Sequence, residues 1–145
     1  MHELSQRFMF EAAHTLRREF ETESSARVHG HTYYAEITVA GVPDQKTGML
    51  VDLAILRKMI DELRASLDHR LLDEVPGLGV PTLENLCSYI AGVIRPIGPM
   101  LQAVKVWREG SGDACRLVLD PWDFRSSASP LAERHGRLTS ECKES

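Results

Sequence analysis

The stretch Val28-His29-Gly30-His31-Thr32-Tyr33 runs straight into Tyr34, Ala35, Glu36, Ile37, Thr38 and Val39, a segment rich in β-branched and aromatic residues. Residues two apart in a strand point to the same face. His29 and His31 therefore aim their imidazoles at one point, and the chain must fold so as to use or shield that point. A third histidine, His14, closes an earlier strand-like run in which Phe8, Phe10, Ala12 and His14 share one face. If the two runs pair antiparallel, His14 stands beside the His-Gly-His ribbon. Three imidazoles with one open position are what a catalytic zinc takes from a protein. Gly30 is expected to keep side-chain atoms out of the space between the ligands. The plainer reading, an ordinary surface or cavity histidine, is kept for His2 and His135.

The chain has 145 residues, which suits one domain, and 43% of them are apolar, enough for a real core. Net charge is −4, and no basic stretch resembles a nucleic-acid footprint. No signal-peptide pattern and no bilayer-length apolar run are present, so a cytoplasmic protein with no membrane partner is expected. Cys87, Cys115 and Cys142 are odd in number, widely spaced and without a CxxC pair. That is neither a disulfide framework nor a cysteine-type zinc site. Cys87 falls on the apolar stripe of an expected helix, where packing is its role.

The remaining elements follow from periodicity. Residues 3–14 and 28–40 read as strands, and the polar residues 15–27 as a mobile connection. Asp52 offers a helix N-cap, and Leu53, Leu56, Ile60, Leu63 and Leu67 follow as one apolar stripe. That helix is expected to end near Asp68-His69-Arg70. Thr82 caps a second helix with Glu84 in its first turn, Leu83, Leu86, Cys87, Ile90 and Ile94 as its buried stripe, and Pro96 to stop it. Val104, Val106 and Arg108 alternate with Lys105, Trp107 and Glu109 in a third strand. Cys115, Leu117 and Leu119 mark a fourth, joined to it by the turn Gly110-Ser111-Gly112-Asp113. Residues from about 121 to 145 read as a weakly ordered tail behind a domain of residues 1–120. Helices segregated onto an antiparallel sheet give an α+β fold. A four-stranded sheet has two open edges, which a closed oligomer would satisfy.

Six motifs now stand in order: Phe10-Glu11-Ala12-Ala13-His14, His29-Gly30-His31-Thr32-Tyr33, Gly48-Met49-Leu50-Val51-Asp52-Leu53, Leu67-Asp68-His69, Pro81-Thr82-Leu83-Glu84-Asn85 and Arg108-Glu109. Over roughly residues 3–119 the sequence resembles the 6-pyruvoyl-tetrahydropterin synthase and 6-carboxytetrahydropterin synthase family. The resemblance implies a tunnelling fold: a four-stranded antiparallel sheet with two helices inserted between strands 2 and 3. Trimers join these sheets into a barrel, and two trimers stack into a homohexamer. It implies a lyase with zinc on His14, His29 and His31, acting on a small-molecule pterin, 7,8-dihydroneopterin triphosphate. Glu109 matches the carboxylate that grips the pterin ring, and Thr82 and Glu84 match the motif lining the pterin site. Asp68 and His69 match a proton-transfer dyad. A helix end and a helix cap are the plainer readings of the last two pairs.

The family's general base is usually a cysteine four residues before the first histidine of His-Gly-His. Here that position is Ser25. A thiol titrates near ~8.5, whereas a serine hydroxyl needs a partner base. His69, Glu21 and Glu23 are the candidate partners. The expected reaction is formation of 6-carboxy-5,6,7,8-tetrahydropterin, on the route to queuosine. Pyruvoyl formation, side-chain cleavage of dihydroneopterin, and a non-catalytic pterin-binding role are the alternatives. A zinc-dependent hydrolase acting on another substrate is the reading from outside the family.

Overall fold

The computed structural model describes residues 1–20 and 22–121. Glu21, and the expected tail from residue 122 on, lie outside the described residues. Strand β1 (His2–His14) is followed by a one-turn helix α1 (Thr22–Ala26) and by β2 (His29–Gly41). Helix α2 (Leu53–Leu67), a two-residue strand β3 (Arg70–Leu71) and helix α3 (Leu83–Ile94) come next. Strands β4 (Leu101–Arg108) and β5 (Asp113–Val118) complete the fold. The sheet order is β3-β1-β2-β4-β5.

Two details differ from the reading of the sequence. The sheet has a fifth strand, β3, which lies parallel to β1 through Ala12–Arg70 and Ala13–Leu71. Two residues are too few to carry a periodic pattern. The connection 15–27 contains α1, whose five polar or small residues show no apolar stripe. Such a helix depends on its surroundings, and here Leu16 N–H donates to Ser25 O at 2.7 Å across the connection.

The helices form where capping and periodicity coincide. Asp52 accepts from Ala54 N–H at 2.8 Å at the start of α2. Thr82 accepts from Asn85 N–H at 3.1 Å at the start of α3. Leu56, Ile60, Leu63 and Leu67 of α2 are buried with Leu86, Cys87, Ile90 and Ile94 of α3. The two stripes meet Phe10, Ala12, Tyr33, Ala35, Ile37 and Val39 on one face of the sheet, so the core is a single layer between helices and strands. Phe10 stacks on Tyr33 with ring centroids 5.1 Å apart. The other face is polar and aromatic: Tyr34 stacks on Trp107 at 5.6 Å, and Lys105 Nζ lies 5.1 Å from the Trp107 ring. Along β1 only Ala12 and Ala13 pair on the outer edge among the described residues, and β5 forms the opposite edge. Among the described residues, no helix is long and apolar enough to cross a membrane.

Candidate metal centre and its surroundings

The register of β1 against β2 sets His14 opposite His29 and Ala12 opposite His31. All three imidazoles fall on the helix-covered face, at the end of the two strands. His14 Nε2 lies 3.0 Å from His29 Nε2 and 3.1 Å from His31 Nε2. His14 is 2% exposed, and the other two are half-buried. The expected convergence is therefore present. Gly30 plays a different part from the one expected. It points to the opposite face, and a Cβ there would meet only the Ala12 carbonyl oxygen at 3.7 Å. Strand alternation, not the absent side chain, keeps the space between the ligands clear.

The donor set tests whether a cation fits. His14 Nδ1 lies 3.1 Å from Pro81 O, and His29 Nδ1 lies 2.7 Å from Arg27 O. A carbonyl only accepts, so Nδ1 carries the hydrogen in both rings. In neutral imidazoles each Nε2 then presents a lone pair, and the two lone pairs face each other across 3.0 Å. A positive group between them, a proton or a metal ion, would relieve this opposition. A proton is disfavoured: burial, together with His29 and Arg108, lowers the His14 pKa against the Pro81 carbonyl, which raises it. Burial first and Arg108 second push His31 down to about 4. A divalent metal on three neutral imidazoles fits, and two of them have their second nitrogen held by a backbone carbonyl, as bound histidines do.

These shifts fix a pH dependence. A histidine whose pKa is lower folded than unfolded binds its proton more readily in the unfolded chain, so stability falls as pH falls. For His31 the window runs from 6.5 down to about 4. Asp68, Asp73 and Asp113 have lowered pKa values and titrate below the usual carboxylate range, beneath most of this window. The metal-free protein should therefore lose stability steadily between pH 7 and pH 4.5, read as a falling urea midpoint. His31→Gln should flatten that slope.

Asp68 and His69 end α2. Asp68 Oδ1 accepts from Glu11 N–H at 2.9 Å, and Oδ2 sits 3.0 Å from His69 Nδ1. The Glu11 N–H, then His69, hold the Asp68 carboxyl below its ordinary pKa. His69 has φ +56°, the one positive φ among described non-glycine residues. Such a backbone costs about 1–3 kcal/mol, and it is pinned by His69 N–H donating to Glu11 O at 2.6 Å. Glu11 thus clamps the dyad from both sides. The imidazole itself is exposed and shares a cavity of about 520 Å³ with Glu11, Ala13, Gly30, His31 and Thr32. On its other side, Nε2 lies 3.9 Å from Glu11 Oε2. Glu11 and Thr32 lie on the strand face away from the three imidazole nitrogens, so within one chain the dyad and the cluster stand on opposite faces.

A second cavity, about 460 Å³, is lined by His14, Tyr33, Thr82, Glu84, Arg108 and Cys115 among others. Thr82 and Glu84 are thus brought to the His14 side. Glu109 is exposed in the turn beyond β4 and does not line this cavity. Ser25 is buried in α1, and Glu23 is exposed there. Reading the sequence missed Arg108 as a site residue. Its signal was present: the alternation Val104, Val106, Arg108 puts a charge in the buried phase of a strand. It also missed Asp73, which accepts from Thr15 N–H at 2.8 Å and holds the chain just after His14. A lone acidic residue in a loop gives no such signal.

Comparison with known proteins shows the family and the fold. The model of the 6-pyruvoyl tetrahydropterin synthase family matches residues 3–118. Human 6-pyruvoyl tetrahydrobiopterin synthase is 34% identical over 121 residues, covering 72% of this chain and 83% of the relative. A putative 6-carboxy-5,6,7,8-tetrahydropterin synthase from Archaeoglobus fulgidus is 31% identical over 97 residues, covering 67% and 79%. A dihydroneopterin monophosphate aldolase from Pyrococcus furiosus is 34% identical over 104 residues, covering 70% and 84%. Among solved structures, Caenorhabditis elegans 6-pyruvoyl tetrahydropterin synthase superposes with a TM-score of 0.69 at 23% identity, covering 81% of this chain and 95% of that one. The α+β sheet with its two long helices on one face is the tunnelling fold, and the chain belongs to the 6-pyruvoyl tetrahydropterin synthase family.

Proposed function

We propose that this chain is a zinc-dependent lyase that converts 7,8-dihydroneopterin triphosphate to 6-carboxy-5,6,7,8-tetrahydropterin. The observation that carries the reading is the meeting of three imidazole Nε2 atoms at 3.0 and 3.1 Å, with two rings locked by backbone carbonyls. His14, His29 and His31 would hold the metal, which would polarise a side-chain oxygen of the substrate and acidify the adjacent C–H bond. His69 donates Nδ1–H to Asp68 and so presents Nε2 as a base. Asp68 stays ionised and stabilises the imidazolium once a proton is taken. Thr82 and Glu84 offer polar groups to the pterin ring from the wall of the second cavity, and Glu109 does so from the adjoining turn. Ser25 takes the place of the family cysteine, with His69 or Glu23 as its partner base.

The dyad and the imidazoles on opposite faces, with the open edges of β1 and β5, support a complete site made between neighbouring copies. The family arrangement, a hexamer of two stacked trimers, meets that need. The cytoplasm and the queuosine route follow from the same reading.

A second reading has its own support. Cleavage of the bond between the first two side-chain carbons needs one base and an electron-withdrawing oxygen, and no thiol. The serine at position 25 and the aldolase among the relatives favour it. The test is incubation of zinc-loaded protein with 7,8-dihydroneopterin triphosphate, followed by mass spectrometry. A 6-carboxy product with acetaldehyde and triphosphate is the expected result. A 6-hydroxymethyl pterin with a phosphorylated glycolaldehyde would transfer the assignment to the second reading. Unchanged substrate would remove both.

A further inference from the structure

We propose that Arg108 turns the space beside the three imidazoles into an anion site, one that holds a carboxylate or enolate oxygen against the metal. The inference rests on the pterin reading only for the identity of that anion: the oxygen on the side-chain carbon next to the ring.

The geometry is that of a buried cation with donors to spare. Val104 and Val106 of β4 are fully buried, and Arg108 continues their phase with a side chain only 12% exposed. Nη1 donates to His31 Nε2 at 3.3 Å. Nη2 donates to Asp113 Oδ2 at 2.6 Å, and Ser111 Oγ donates to the same oxygen at 2.8 Å. This carboxylate fixes the guanidinium in place, yet Asp113 is half exposed and shared. Arg108 Nε is buried with no hydrogen-bond partner among the described residues, and the Tyr33 hydroxyl, on a residue 1% exposed, faces the same guanidinium. Tyr33, Arg108 and His14 line one wall of the 460 Å³ cavity.

Charge decides what this wall is for. A guanidinium keeps its charge at any ordinary pH. A divalent cation on three neutral imidazoles adds two positive charges within reach of it. Like charges out of water repel strongly, and a buried charge without a counterion is costly. Asp113 is half exposed and already bonded to Arg108, Asp73 is exposed and bonded to Thr15, and Glu84 is exposed on the cavity wall, so an anion beside the cluster is the counter-charge that shares the buried side of these cations. Once His31 Nε2 serves as a ligand, its lone pair no longer accepts Nη1–H. That Nη1–H is then left to donate one charge-assisted hydrogen bond to an oxygen of an anion beside the cluster, while Nη2 stays on Asp113. The Tyr33 hydroxyl stands in the same wall. Arg108 is in this sense a catalytic residue: it touches the oxygen on which charge develops.

The test replaces zinc by cobalt(II) and reads anion binding from the visible spectrum, with acetate as the probe. The wild-type protein should show a saturable change. R108Q should hold the same amount of cobalt and bind acetate about 10- to 100-fold more weakly, the range for a lost bond to a charged group. R108K keeps the charge but loses the guanidinium that bonds Asp113 and reaches the cluster at once, and should fall between. Equal acetate affinity in R108Q, or no acetate response in the wild type, would overturn the proposal. So would loss of cobalt from R108Q, because a cation beside the cluster opposes metal binding and its removal should not weaken it. If R108Q does not fold, R108K decides: weaker acetate binding supports the proposal, and equal binding overturns it. None of these readouts needs turnover, so failure of the pterin reading would be seen separately.

Discussion

His14→Ala should leave the protein folded and without metal. The wild-type chain is expected to carry about one zinc, and the variant close to none after dialysis. His14 is the only one of the three imidazoles that is fully buried, and its Nε2 stands closest to both others. Without it, two half-buried imidazoles remain at the end of β2, fewer than the three a catalytic zinc site uses. Outer-shell partners of zinc ligands cost about 10- to 100-fold in affinity when removed, and a ligand should cost more. The loss can be told from unfolding in two ways. The circular dichroism spectrum should be retained, since His14 sits at the edge of the core and not among the Phe10, Leu56 and Ile90 side chains. Added zinc should raise the melting temperature of the wild type and leave that of the variant unchanged, because only a protein that binds the ion gains stability by mass action, about 2.7 kcal/mol at a hundredfold excess over Kd. His2→Ala, at an exposed histidine, should keep its zinc. Full zinc occupancy in His14→Ala would mean that the ligand set is wrong.

The meeting of the three histidines was legible in the sequence because strand periodicity is rigid. Alternation alone puts His29 and His31 on one face, and the pairing of two apolar runs brings His14 to them. The helices were legible for a similar reason: Asp52 and Thr82 cap apolar stripes of clear 3.6 period, and both caps are seen. What escaped was structure that depends on distant partners. Strand β3 exists because His69 turns the chain in the left-handed region, and that turn is enforced by the backbone of Glu11, 58 positions earlier. Helix α1 is five residues that no local signal would stabilise alone. Arg108 was read as the neighbour of Glu109 and not as the buried member of the pair. A charge in an apolar phase is the kind of local conflict that sequences keep at functional sites. Glu109 shows the converse: the family motif singled it out, yet in one chain it stands in a turn outside the cavity that holds Thr82 and Glu84.

The second large effect concerns the dyad. His69→Asn should lower turnover about 10²- to 10⁴-fold, the range for loss of a positioned acid–base group, while zinc content stays at the wild-type level. Asparagine is the informative replacement. It tolerates the left-handed backbone that His69 occupies, so the fold of the α2–β3 corner is kept and only the imidazole is lost. Asp68→Asn asks a finer question. Its amide oxygen can still accept from Glu11 N–H, but its NH₂ group cannot accept from His69 Nδ1–H. The ring would then turn or change tautomer, with a loss of turnover comparable to that of His69→Asn. Undiminished turnover in either variant would take the dyad out of the reaction. Its place on the face opposite the imidazoles leads to one more outcome. His14→Ala lacks the metal and His69→Asn lacks the base, so each alone is inactive. Co-expressed as mixed oligomers, they should regain roughly a quarter of wild-type turnover per site if the two halves of a site come from different copies, by random assortment of subunits in a closed oligomer. If both halves act within one chain, no mixture restores either, and the mixed sample stays as inactive as its parts.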